Sequence, residues 1–156
     1  MSNRSVSHAT FVIERTFDAS PARVFRAFSD PVAKAGWFGP PAEKCDLDFR
    51  VGGVETNRGG PPGGPIHAFE ARYLDIVKNE RIVSTYTMDR DKTRISVSLA
   101  TTEFRPEGSG TRLVYTEQGA FLDGHDNAAQ REHGCRDLFD ALDALLKREA
   151  AGVHAS

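Results

Sequence analysis

The chain of 156 residues is long enough for one domain that buries its own hydrophobic core. Its 20 basic and 22 acidic residues give a formal net charge of −2, which excludes the strongly basic surface typical of proteins that bind nucleic acid or anionic membranes. No apolar run reaches the roughly 18 residues of a membrane span, and the N-terminal MSNRSVSHAT lacks the apolar centre of a signal peptide, so we expect a cytoplasmic protein that contacts neither nucleic acid nor membrane.

The start of the chain is predicted to form a strand followed by two short helices. Residues 10–17, TFVIERTF, are rich in β-branched and aromatic residues, which favour a strand. Ser20 then precedes Pro21, and Asp30 precedes Pro31. A side-chain oxygen at the N-cap, followed by proline at the first helical position, is typical of a helix start.

The middle of the chain is predicted to form an antiparallel sheet. Trp37 and Phe38 begin a loop, because the GPP sequence after them cannot continue a helix. The segments with the composition and alternation of strands are 45–50, 66–77, 81–88, 93–104 and 111–118. Because short turns join most of these segments, neighbouring strands must run antiparallel.

The segment 93–104 changes its alternation partway along. Its apolar residues share one parity up to Leu99 and the other parity from Ala100 onward. Since a one-residue slip moves every later side chain to the opposite face of a sheet, this pattern predicts a β-bulge near Leu99 and Ala100.

The glycine-rich stretch VGGVETNRGGPPGGP, residues 51–65, resembles a phosphate-binding loop or a linker only in composition. It lacks the lysine and hydroxyl residue of a phosphate loop, and no helix follows it to receive an anion. Predicted strands flank it on both sides, so it does not separate two domains. We predict two turns, one at Gly52 and Gly53 and one over 59–65, on either side of a short strand at 54–58.

Residues 126–150 are predicted to form one long amphipathic helix. Cys135, Leu138 and Leu142 recur at helical spacing opposite charged residues. A sheet with one apolar face needs a cover, and this helix supplies it. The predicted fold class is therefore α+β, with a single domain over 9–150 and flexible tails at 1–8 and 151–156.

Several local strings resemble the bacterial proteins related to the activator of heat-shock protein 90 ATPase: SPARVFRAFSDP, GWFGP, DLDFRVGG, ARYLDIVKNERIV, GSGTRLVYTE and HGCRDLFDALDALL. That family is part of the START, polyketide-cyclase and Bet v I-like superfamily. The resemblance implies a helix-grip fold, in which a curved antiparallel sheet of about six to seven strands wraps around the long C-terminal helix. It also implies a cavity between sheet and helix for a small hydrophobic or amphipathic ligand.

The candidate ligand-binding residues come from strand parity combined with this resemblance. Glu55 and Asn57 stand where the family usually has large apolar residues, which predicts an unusually polar end of the cavity; the alternative is a short strand that faces solvent. Trp37 and Phe38 either gate the cavity or plug the core from outside. The complete candidate set is Trp37, Phe38, Phe49, Glu55, Asn57, His67, Phe69, Tyr73, Tyr86, Met88, Tyr115, Glu117, Cys135, Leu138 and Leu142.

Three functions are compatible with these residues. The first is a non-catalytic protein that carries or sequesters an amphipathic molecule. The second is a cyclase-like or hydrolase-like enzyme that uses Glu117, His67 or Glu55 as acid or base. The third is a module that contacts a chaperone, although the separate N-terminal domain of the true co-chaperones is expected to be absent. The lack of a compact nucleophile and base motif favours the first function, performed by a monomer or homodimer.

No catalytic residue, metal or cofactor is predicted. The spacing of His125 and His133 does not repeat that of a zinc site. Cys45 and Cys135 are too far apart in sequence to indicate a disulfide framework, so both are expected as reduced thiols. Cys135 lies on the apolar stripe of the long helix, which predicts burial rather than a reactive thiolate.

Overall fold

A computed structural model of the chain describes residues 4–38 and 44–155. Within these ranges the strands are β1 (Val6–Phe17), β2 (Lys44–Leu47), β3 (Val54–Gly59), β4 (His67–Val77), β5 (Arg81–Arg90), β6 (Thr93–Glu107) and β7 (Gly110–Leu122). The helices are α1 (Pro21–Ser29), α2 (Pro31–Ala35) and α3 (Ala128–Ala155). Secondary structure therefore extends past both ends of the range 9–150 predicted for the domain. Residues 39–43, where the predicted loop after Phe38 continues, lie outside the described residues, as does the side chain of Cys45.

The strands form one antiparallel sheet in the order β1-β7-β6-β5-β4-β3-β2. Strands β2 to β7 pair in chain order, and β1 lies along the far side of β7, with Val6 opposite Leu122 and Phe17 opposite Thr111. The helices pack on one face of this sheet, which confirms the predicted α+β, helix-grip architecture. Among the described residues, no helix combines the length and apolar character needed to cross a membrane.

Side-chain caps begin both short helices, as their sequences predict. The Ser20 hydroxyl accepts a hydrogen bond from the backbone N–H of Arg23 at 3.3 Å. The Asp30 carboxylate accepts one from the backbone N–H of Ala33 at 2.9 Å, so the last residue of one helix leads directly into the cap of the next. This tandem arrangement places Lys34, on the last turn of α2, above the sheet.

The glycine-rich stretch forms the two predicted turns around β3. Gly52 has φ of 85°, a conformation that side chains disfavour, and its N–H donates to the Tyr73 carbonyl at 2.8 Å. A Cβ on Gly53 would collide with the carbonyl oxygen of Asp48. The second turn joins β3 to β4, with Gly59 opposite His67. Both turns keep β3 in the sheet, and β3 carries Glu55 and Asn57.

The bulge predicted near Leu99 and Ala100 was wrong in position. Pairing of β5 with β6 runs without interruption through both residues. The register shifts instead between two consecutive residues of β5, since Met88 pairs with Ser96 and Asp89 pairs with Arg94. Ile95 lies between these two partners and is the extra residue of the bulge.

The polarity of the buried residues explains why this position was missed. From Ser96 onward the even positions of β6 are buried, and they begin with the two serines Ser96 and Ser98. The apolar Val97 is 42% exposed, on the opposite face of the strand. Apolar character therefore marks the wrong face in this part of β6, because the buried serines hydrogen-bond to charged groups rather than pack among apolar ones.

The main core lies where the middle of α3 meets β1, β7 and the short helices. Phe139, Leu142 and Leu146 of α3 belong to one buried cluster with Ile13 and Val24. Leu138 packs against that cluster and is only partly buried. The apolar contacts that hold α3 to the sheet thus come chiefly from its middle, between Phe139 and Leu146.

Alanine substitutions at Leu138 and Leu142 should show which of the two side chains belongs to the core. We expect Leu142→Ala to lower the free energy of unfolding by about 2–5 kcal/mol, since Leu142 is fully buried and its truncation leaves a void. Leu138→Ala should lower it by about half as much or less, because that side chain already borders open space. Urea unfolding of both variants measures the difference, and equal losses would contradict this division of the helix.

Candidate functional site

A cavity of about 360 Å³ lies between the inner face of the sheet and the helices. Strands β3 to β7 supply its floor, and α2, α3 and the segment after α2 supply its walls. Its larger apolar side chains are Phe28, Trp37, Phe38, Phe69, Tyr73, Ile82, Tyr86, Met88, Tyr115, Leu138 and Phe139. Its polar side chains are Lys34, Glu55, Ser84, Thr102, Asp126, Gln130 and Arg131.

Strand register places two glutamates at opposite sides of the floor. Glu55 on β3 and Glu117 on β7 have three strands between them. Two rows of paired residues connect these sides: Glu55, Ala71, Tyr86 and Ser98 form one, and Tyr73, Ser84, Ala100 and Glu117 form the next. At about 4.8 Å between strands, roughly 19 Å of sheet separates β3 from β7, and the direct distance across a curved sheet is shorter.

Glu55 is the centre of the first polar cluster. Its side chain is 1% exposed, and its Oε1 lies 2.6 Å from Nζ of Lys34 and accepts a hydrogen bond of 2.6 Å from the Tyr73 hydroxyl. The Lys34 ammonium also sits 4.5 Å from the centre of the Phe38 ring, which adds a cation–π contact. Among the buried side-chain atoms of the described residues, Oε2 of Glu55 has no hydrogen-bond partner.

Glu117 is the centre of the second cluster, and both of its oxygens are occupied. Oε1 accepts a hydrogen bond of 2.6 Å from the Tyr115 hydroxyl, and the Cys135 thiol approaches the same atom at 3.9 Å. Oε2 accepts hydrogen bonds from the Tyr86 hydroxyl at 2.7 Å and the Ser98 hydroxyl at 3.0 Å. The carboxylate is fully buried, and these donors replace the hydrogen bonds that water would otherwise supply.

Arg131 on α3 neutralises this second carboxylate. Its Nη1 lies 3.3 Å from Oε2 of Glu117 and donates to the Tyr86 hydroxyl at 2.8 Å. Its Nη2 donates to the Ser96 hydroxyl at 2.7 Å and to the Asp126 carboxylate at 2.8 Å. The guanidinium thus connects the first turn of α3 to three strands of the floor.

Burial and the charge of the neighbouring glutamate raise the pKa of each of the three tyrosines in the chain. The neighbour of Tyr73 is Glu55, and the neighbour of the other two is Glu117. Burial and the Glu117 charge also raise the pKa of the Cys135 thiol to about 12. All four groups therefore stay protonated at neutral pH and act as hydrogen-bond donors rather than as bases or nucleophiles.

Aromatic rings form much of the cavity wall between the two clusters. The ring centres of Phe38 and Phe69 are 5.0 Å apart, and those of Phe69 and Tyr86 are 4.9 Å apart. Trp37 is 4% exposed and its indole N–H donates to the Ala27 carbonyl at 2.8 Å, which fixes the ring. The rings are held by packing and hydrogen bonds, so they present a preformed apolar surface.

Most of the residues proposed from the sequence lie in this lining. They are Trp37, Phe38, Glu55, Phe69, Tyr73, Tyr86, Met88, Tyr115, Cys135 and Leu138. Glu55 and Asn57 are both buried, which excludes the alternative of a solvent-facing strand. Their role in ligand binding stays a prediction.

The remaining candidates lie elsewhere. His67 is exposed at the first position of β4, where parity is a weak guide because the strand end meets solvent. Phe49 follows β2 and packs against Tyr73 in the core, and Leu142 is fully buried there too. Asn57 donates to the Phe38 carbonyl at 3.4 Å, and Glu117 lies behind the tyrosines of the lining rather than in it.

The candidates from the sequence did not include three charged residues of the lining, Lys34, Asp126 and Arg131. Arg131 lies four residues before Cys135, so it continues the helical stripe of Cys135 and Leu138, and this spacing is a usable signal. Lys34 occurs in a five-residue helix that is too short to show a face by periodicity. In the part of the chain that the structure describes, no three His, Cys, Asp or Glu side chains are grouped to hold a metal ion.

Comparison with known proteins gives a consistent assignment. The sequence model of the family described as "Activator of Hsp90 ATPase homolog 1-like protein" matches residues 18–147. A solved protein of Rhizobium leguminosarum is 46% identical, with 93% of this chain and 98% of its own chain aligned and a TM-score of 0.89. A protein of Rhizobium loti is 48% identical, with 90% and 99% aligned and a TM-score of 0.86. No curated protein sequence matches at a significant level.

Alkaline titration should reveal the three buried phenols. A tyrosine with an ordinary pKa ionises near pH 10, whereas the raised pKa values keep these groups neutral in the folded protein. The resulting stabilisation is complete below about pH 10 and is lost as the pH rises further, since only the unfolded chain then releases the protons. Absorbance at the tyrosinate band should therefore rise together with the loss of circular dichroism. Reversible ionisation near pH 10 in the folded state would contradict the two clusters.

Proposed function

Because the chain belongs to the activator of Hsp90 ATPase homolog 1-like family, we propose that it binds a small amphipathic molecule in the cavity between the sheet and α3, without transforming it. The composition of the cavity lining carries this proposal. Aromatic and aliphatic side chains dominate the lining, and a few polar groups lie at its two sides. Ligand sites are typically concave and mostly apolar, with a small number of fixed polar groups and volumes of about 300–1,000 Å³.

The state of the polar groups favours binding over catalysis. Glu117 already receives its hydrogen bonds from protein donors, and the pKa of the Cys135 thiol is raised to about 12 by burial and the Glu117 charge. The lining residues that the structure describes include no histidine. A general base needs an acceptor that can reach a substrate proton, and a nucleophile needs activation. Glu55 has a free oxygen but is paired with Lys34.

Access to the cavity is along the first half of α3. Gln130 and Gly134 line the cavity and are also exposed, which supports an entrance at this part of the helix. A Cβ on Gly134 would meet no atom within 4 Å. Position 134 therefore has room for a side chain. Substitution there should also raise the stability of the helix, because glycine lowers it by about 1 kcal/mol relative to alanine.

A leucine at this opening tests the proposal. We expect Gly134→Leu to weaken binding of the neutral fluorescent probe N-phenyl-1-naphthylamine by about tenfold or more, because its side chain occupies the entrance. The matched control is Gly152→Leu on the same helix, where a Cβ also meets nothing within 4 Å but the cavity is distant. Both variants should unfold at or above the wild-type temperature, since both replace a helical glycine.

Fluorescence titration with a competing non-fluorescent ligand measures these affinities. Saturable binding at one site per chain, lost in Gly134→Leu and kept in Gly152→Leu, supports the cavity as the site. Equal binding by both variants would place the probe elsewhere on the surface. Release of a chemically altered probe during incubation would favour the enzymatic alternative.

A further inference from the structure

The two glutamates of the floor have the same kind of surroundings. Each accepts a hydrogen bond from a tyrosine on a neighbouring or nearby strand, and each faces a cation from a helix, Lys34 on α2 for Glu55 and Arg131 on α3 for Glu117. Both carboxylates are at most 1% exposed. Because their surroundings are similar, the hydrogen bonds of the two carboxylates can be compared directly.

The two sites differ in how many of their oxygens are bonded. Both oxygens of Glu117 accept hydrogen bonds from protein side chains. Glu55 receives its bonds from Lys34 and Tyr73 on Oε1 alone, and within the described residues its Oε2 is buried with no donor. Buried carboxylate oxygens in folded proteins almost always have a donor. Glu55 lines the cavity, so a bound molecule is in a position to supply one.

The charges around Glu55 define which donor fits. The Lys34 ammonium, 2.6 Å from Oε1, already neutralises the carboxylate. A ligand cation would add a second positive charge next to this ammonium, and a ligand anion would meet the unpaired oxygen of a carboxylate. A neutral donor such as a hydroxyl group satisfies Oε2 without adding charge to a desolvated site.

The walls near this cluster favour an aromatic ligand. Phe38 stacks under the Lys34 ammonium and contacts Phe69, whose ring is in turn 4.9 Å from that of Tyr86. Rigid rings at these distances pack well against another ring in offset or edge-to-face geometry.

We propose that Oε2 of Glu55 accepts a hydrogen bond from a neutral hydroxyl group of the ligand, so that the cavity selects aromatic alcohols and phenols over their ethers, carboxylates and amines. This inference rests on the proposed function, because it specifies the chemistry of the molecule that the same cavity binds. It assigns Glu55 a role in selectivity that Glu117, with both oxygens occupied, does not have.

Four related naphthalene compounds test this selectivity by isothermal titration calorimetry at pH 7. The wild-type protein should bind 2-naphthol about tenfold more tightly than 2-methoxynaphthalene, which has the same ring but no hydroxyl proton. It should also bind 2-naphthol more tightly than 2-naphthoate, which is anionic, and 2-naphthylmethylamine, which is cationic at this pH.

Variants then assign the preference to Glu55. In Glu55→Gln an oxygen remains for Lys34 and Tyr73, while an amide NH₂ replaces the acceptor, so the ratio of the two affinities should fall to within about twofold of one. The double variant Lys34→Met/Glu55→Leu removes the ion pair as a unit and should lose the preference in the same way, even if Glu55→Gln folds poorly. Glu70→Gln, the same change at an exposed glutamate of β4 that does not line the cavity, is the control and should keep the wild-type preference.

The outcomes separate this inference from the proposed function. Equal affinities of the wild type for 2-naphthol and 2-methoxynaphthalene would overturn the role of Glu55 and leave the binding function intact. Tighter binding of 2-naphthoate, or a hydroxyl preference that survives both Glu55 variants, would also overturn it. Failure of the wild type to bind any of the four compounds would count against both proposals.

Discussion

The buried ion pair between Glu117 and Arg131 determines where the long helix begins its course over the sheet. A carboxylate and a guanidinium enter an apolar interior only if they are paired and hydrogen-bonded, and here tyrosine and serine hydroxyls complete both groups. Loss of one partner from such a pair destabilises a protein by about 3–5 kcal/mol, because the other charge stays buried. The first turn of α3 is therefore tied to β5, β6 and β7 by polar contacts.

The middle of α3 is held in another way, and the cavity follows from the difference. Phe139, Leu142 and Leu146 pack directly into the core with side chains of β1 and α1. Nearer the start of the helix, Gly134 has no side chain and Leu138 only borders the core. The helix thus packs closely on the sheet between Phe139 and Leu146 and is held above it by an arginine near its start. An apolar space between these attachments is the consequence of two kinds of contact along one helix.

The sequence predicts the elements of this arrangement better than its polar contacts. Alternation placed Phe69 and Tyr73 on the inner face correctly, because most buried positions of an antiparallel strand are apolar. The same rule failed at Ser96 and Ser98, which are buried because Ser96 accepts a hydrogen bond from Arg131 and Ser98 donates one to Glu117. Arg131 was not among the residues singled out from the sequence, although its spacing puts it on the buried stripe. Tertiary contacts determine which residues pair with a buried charge, and the periodicity of the sequence carries no information about these pairs.

The proposed role of Glu55 is selection of the ligand, since its burial does not serve stability. A buried oxygen without a donor lowers stability by about 1–3 kcal/mol, a large fraction of the 5–15 kcal/mol that holds a typical domain folded. Apolar side chains in place of Glu55 and Lys34 would avoid this loss, since buried ion pairs are often no more stabilising than well-packed hydrocarbon. An apolar wall, however, binds a hydroxyl compound and its ether with similar affinity. An unsatisfied acceptor makes the two affinities differ by the free energy of one hydrogen bond. Under the proposed function, the atom that lowers the stability of the folded chain is also the one that distinguishes a hydroxyl compound from its ether.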